Sequence, residues 1–134
     1  MKGETLQQVT ILSLQEPAWV DYDRIAGLYV QLGPTRAEEL IGRAIEDLAV
    51  RLSELRDRFD GCTAPDFREL QRGTKAVTRI ADQVGLIGLA MVAAHVCDCL
   101  RQQNMVALTA CMSRLIRIGE QSLTAVWDVQ DLSI

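Results

Sequence analysis

The stretch from Asp66 to Leu100, DFRELQRGTKAVTRIADQVGLIGLAMVAAHVCDCL, decides the fold. Leu70, Val77, Ala81 and Val84 fall on one side of a helical wheel, at about 100° per residue. Arg68, Arg72, Lys75 and Arg79 fall on the other side, spaced i, i+4, i+7, i+11, with Asp82 at the end of the row. Gly85 then breaks the pattern, because a glycine just past an apolar stripe is a strong helix stop. A second stripe follows in Leu86, Leu89, Ala93, Val96 and Leu100. Two amphipathic helices with a short break between them form a helical hairpin, since neither can bury its stripe alone.

Working outward, the same period recurs on both sides. Ile41, Ile45, Leu48, Leu52, Leu55 and Phe59 are spaced 4-3-4-3-4, and Leu108, Met112, Leu115, Gly119, Ser122 and Val126 repeat that spacing. A shorter helix is expected over Asp21 to Leu32, with Ile25, Leu28 and Leu32 on one face. Start signals are Pro34 with a capping box at Thr35-Arg36-Ala37-Glu38, Thr63 with Asp66 three residues on, and Asn104. Stop signals are Gly33, Asp60-Gly61 and Gly85. The expected fold is all-α: an antiparallel up-down-up-down four-helix bundle with a short additional N-terminal helix. Residues 18–134 form the bundle, and residues 1–17 form a tail of uncertain structure. In that tail, Val9-Thr10-Ile11-Leu12 is compatible with a strand, a first helical turn or a docking segment. With 4% aromatic residues, aliphatic and alanine packing should dominate the core, and Met91, Met105 and Met112 are expected to fill it. Trp19 and Trp127 are expected to pack its ends.

Composition narrows the function. At 134 residues and 49% hydrophobic content the chain is one globular domain with a real core. A net charge of −4 argues against a general nucleic-acid binder. No apolar run approaches the ~20 residues a membrane span needs, and the N-terminus lacks the long apolar region of a signal peptide. A cytoplasmic location is expected. The four cysteines, Cys62, Cys97, Cys99 and Cys111, lack metal-ligand spacing, and His95 is the one histidine. Cys97 and Cys99 diverge by about 200° on a helix, so reduced thiols and no metal site are expected. A single histidine cannot supply a di-iron centre, and Gly85-Leu86-Ile87-Gly88 is a helix junction rather than a phosphate loop. No cofactor is expected.

The segment from Asp66 to Leu100 resembles the core of a histidine-phosphotransfer (HPt) domain. In that family a helix carries the phosphorylated histidine, with Lys-Gly at +3 and +4. Nine residues on from Asp66, the helix-start acid, and ten back from Gly85, the family's following glycine, stands Lys75. The small and aliphatic positions Ile80, Ala81, Val84, Leu86, Leu89, Ala93 and Val96 are similar to the family's packing pattern, and the likeness covers roughly residues 18–126. All three motif positions differ: Lys75 replaces the histidine, Thr78 the +3 lysine and Arg79 the +4 glycine. An alkyl ammonium has no free lone pair near neutral pH, so it cannot accept and release a phosphoryl group as imidazole does.

The resemblance therefore implies a non-enzymatic, phosphotransfer-inactive module of two-component signalling. Its partner would be a response-regulator receiver domain or a sensor histidine kinase. Arg68, Arg72, Lys75, Thr78, Arg79 and Asp82 are the expected docking residues, a cationic ridge without interleaved acids facing an acidic phosphorylation pocket. The bland alternative for such a ridge is a solvated helix face. Two other functions compete: a structural or oligomeric bundle with no signalling role, and an active phosphotransfer protein using His95. Against the second, Asp98 stands at +3 from His95, where it would repel a phosphoryl group.

Overall fold

The structure, a computed structural model, describes residues 20–60 and 66–132. The described residues form five α-helices and no strand: α1 Tyr22–Leu32, α2 Pro34–Asp60, α3 Phe67–Gln83, α4 Ile87–Gln102 and α5 Met105–Leu132. The Val9–Leu12 patch, Trp19, Thr63, Gly61 and Cys62 lie outside the described residues.

The helix ends follow from local chemistry. Asp21 caps α1, its carboxylate accepting from the Arg24 amide at 3.1 Å. Gly33, at φ +83°, ends α1 by donating its N–H to the Tyr29 carbonyl, and its own carbonyl accepts from Ala37 to open α2. Pro34 is thus the first residue of α2, where its missing N–H is no loss. The capping box expected at Thr35 does not form, because Thr35 already lies inside the helix. Asp66 is likewise the cap of α3 rather than a residue inside it, and accepts from the amides of Arg68 and Glu69 at 3.0 and 3.4 Å. Asn104 does cap α5, accepting from the Ala107 amide at 3.2 Å.

The α3–α4 turn is a Schellman motif. Leu86 donates to the Ala81 carbonyl and Gly85 to that of Asp82, with Gly85 at φ +77°. The Gly85 carbonyl accepts from the Asp21 amide at 2.8 Å, and a Cβ on Gly85 would lie 3.0 Å from the Asp21 carbonyl oxygen. This close approach pins the chain at the start of α1 against the turn, with Val20 buried beside it.

α3 packs against α2 and α4, α5 packs against α4 and α2, and α1 packs against α2. One apolar core draws on every stripe. Ile41, Leu48, Leu70, Leu86, Leu89, Leu108, Met112 and Leu115 are all fully buried in it, and each buried side chain of this kind stabilises by about 1.5–3 kcal/mol. Two glycines bring α2 close to its neighbours. A Cβ at Gly73 of α3 would lie 3.0 Å from Leu55, and one at Gly119 of α5 only 2.5 Å from Leu52. The expected core roles of Met91, Met105 and Trp127 are corrected: they are 51%, 43% and 59% exposed. Met112 alone of the three methionines fills the core, because it alone lies on a buried stripe.

Candidate functional site

α3 holds its outer face by burying the inner one. Leu70, Thr74, Ala76, Val77, Ile80 and Ala81 are buried, and the Thr74 hydroxyl donates to the Leu70 carbonyl at 2.7 Å, so no polar group is left unmatched there. Lys75 stands at the middle of this helix, between buried Thr74 and Ala76, and is itself exposed. Arg68, Arg72, Arg79 and Asp82 are exposed as well. Thr78 is half-buried and spends its hydroxyl on the Thr74 carbonyl at 3.0 Å. The helix therefore brings the six sequence-derived positions to one outer face and its flank.

The electrostatics of that face differ from the expected row of free cations. Glu69 accepts from Arg58 of α2 at 2.7 Å and from Arg72 at 3.4 Å. Contact with this carboxylate holds the Arg58 guanidinium above its ordinary value. An acid thus does interleave: Glu69 stands three residues before Arg72, within reach of its side chain. Arg72 belongs to a charged groove between α2 and α3 that also takes in Arg51, Glu54 and Leu55. Among the described residues, Arg68, Lys75 and Arg79 make no ion pair. The cationic patch narrows to these three, with Lys75 and Arg79 one turn apart.

Lys75 also borders α4. Burial pushes the Cys97 thiol of α4 up, and the charges of Lys75 and Arg101 work against that shift. The outer side of α4 presents exposed Met91, Ala94 and His95. Asp98 follows His95 by three residues and is paired with Arg101.

Sequence reasoning missed one constellation. Cys99 of α4 and Cys111 of α5 are in contact, with their sulfurs 3.5 Å apart. The signal was the brevity of the α4–α5 turn, which sets the end of α4 beside the start of α5. Among the described residues, no three His, Cys, Asp or Glu side chains form a group able to hold a metal ion. No described helix is long and apolar enough to cross a membrane. Comparison with protein-family models, curated proteins and solved structures finds no match to this chain.

Proposed function

We propose that this chain is an HPt-like docking module that binds a receiver domain or a sensor histidine kinase without carrying phosphate. In this proposal α2 to α5 form an antiparallel up-down-up-down four-helix bundle, α1 is a short additional helix, and the protein works in the cytoplasm. The contacts of α2 with α3, α3 with α4, α4 with α5 and α5 with α2 support that arrangement.

The observation that carries the proposal is an exposed ammonium at mid-α3, between buried neighbours, where the resemblance expects an imidazole. Lys75 offers a fixed positive charge instead of a nucleophile. Arg79, one turn on, widens that charge where the resemblance expects a glycine. A receiver domain presents a cluster of carboxylates around its phosphorylation site, and unpaired cations complement such a cluster. They speed encounter and set orientation. The absence of a transferable phosphoryl group makes the module a sequestering or scaffolding partner rather than a relay step.

Titration calorimetry with a panel of purified receiver domains and kinase cores tests this. Binding by the wild-type chain should weaken about tenfold or more in the Lys75→Glu/Arg79→Glu variant, and should weaken as salt is raised. Equal binding by the variant would remove the α3 face from consideration.

A further inference from the structure

Only Gln103 and Asn104 separate α4 from α5. Cys99 lies in the last turn of α4 and Cys111 in the second turn of α5. Their Sγ atoms are 3.5 Å apart, one thiol donating to the other. Both side chains are half-buried and pack against the apolar core, and both are free thiols. We propose that Cys99 and Cys111 are a redox site, closing to a reversible intramolecular disulfide that joins α4 to α5 when hydrogen peroxide oxidises them.

The geometry needs little change. A disulfide requires sulfurs about 2.05 Å apart on Cβ atoms about 3.5–4.5 Å apart, and these sulfurs already touch. The sulfurs must close from 3.5 Å to about 2.05 Å for the bond to form. In the first step the thiolate of one cysteine attacks a peroxide oxygen. The O–O bond breaks, water leaves after protonation, and the sulfur becomes a sulfenic acid. In the second step the other cysteine, as thiolate, attacks that sulfur. The S–S bond forms, the S–O bond breaks, and a second water leaves. The two sulfurs lose two electrons in total, and the two peroxide oxygens gain them.

Selectivity follows from the helix. Cys97 is two residues before Cys99 and so points about 200° away around α4, on the side that feels Lys75 and Arg101. It cannot take the place of Cys99 opposite Cys111. Burial, the contact with Cys111 and the Asp98 carboxylate push the Cys99 thiol up, so it rests protonated and must lose that proton before it attacks. The proximity of a resolving thiol then favours ring closure over further oxidation. The bridge would tie down the turn at Gln103 and fix α4, whose other flank packs on α3. It does not depend on the docking proposal, and its test needs no partner.

The full chain is treated with a small excess of hydrogen peroxide, alkylated, digested with trypsin and analysed by mass spectrometry, alongside Cys97→Ser and Cys99→Ser variants. Cleavage after Arg101 and Arg114 separates the two cysteines, so the bridge appears as a linked pair of peptides two hydrogens lighter than their sum. The link is expected in the wild-type and Cys97→Ser chains, absent in Cys99→Ser, and lost on adding dithiothreitol. Closing a loop of this size should raise the melting temperature by roughly 10 °C. Three results would overturn the proposal. These are a link that persists in Cys99→Ser, oxidation to sulfinic acid without a link, and a link with no rise in melting temperature. The Cys111→Ala variant keeps the hairpin apolar, so its unchanged melting temperature under peroxide separates bridging from a general effect of oxidation.

Discussion

Lys75 and histidine differ in one respect that decides the chemistry: the ammonium has no lone pair with which to accept a phosphoryl group. The helical wheel was enough to place Lys75, Arg68 and Arg79 outside, because neighbouring positions such as Val77 and Ala81 had to be inside. The same wheel sets Glu69 beside Arg72, three residues on, so the reading of four free cations overlooked a legible acid. The Glu69 clamp joins two helices, and the pairing of Glu69 with Arg58 depends on packing that spacing within one helix does not encode. If the proposed alignment holds, the triple variant Lys75→His/Thr78→Lys/Arg79→Gly should take up acid-labile phosphate from a phosphorylated receiver, while the wild-type chain takes up none. Radiolabel retention on a gel, before and after acid treatment, reads the difference. A second residue-scale prediction concerns Gln103, which ends α4 in the left-handed region at φ 55°. Gln103→Gly should stabilise the fold by about 1 kcal/mol in urea denaturation, since only glycine takes this conformation without strain.

At the scale of the helix, the stripes were legible and the terminal details less so. Every member of the Leu108–Val126 series is buried, because a 3.6-residue period leaves no other face for an apolar row. Exposed Met91, Met105 and Trp127 show the limit, since apolar residue type alone does not require burial. The Thr35 box failed because Gly33 and Pro34 supplied an earlier start for α2. Gly119 reads as a stripe position, but its role is to admit Leu52 of α2. Gly119→Val should therefore destabilise by about 1–3 kcal/mol through overpacking. By contrast, Gly42→Ala places its Cβ in open space within α2 and should stabilise by about 0.5–1 kcal/mol. Thermal denaturation of the two variants checks the opposite signs. Ser122 on α5 is fully buried, and its hydroxyl has no hydrogen-bond partner among the described residues. Ser122→Ala should be neutral or stabilise by up to about 1 kcal/mol in the same measurement.

At the scale of the whole molecule, the all-helical fold of the described residues followed from four apolar stripes with glycine and asparagine punctuation between them. The neighbour relations of the helices are a matter of register, set by contacts such as Leu55 on Gly73 and Cys99 on Cys111. Such contacts join residues that no local pattern links. The same register brings Lys75 beside α4, so the docking face proposed here spans two helices. The central claim is that this face binds a signalling partner. Its most direct test is chemical-shift mapping of the isotopically labelled chain during titration with a receiver domain. The account predicts amide shifts concentrated between Arg68 and Asp82 on α3 and along the Met91–His95 side of α4, with α2 and α5 quiet. Shifts centred on α2 or α5, or none with any receiver or kinase core at millimolar concentration, would contradict it.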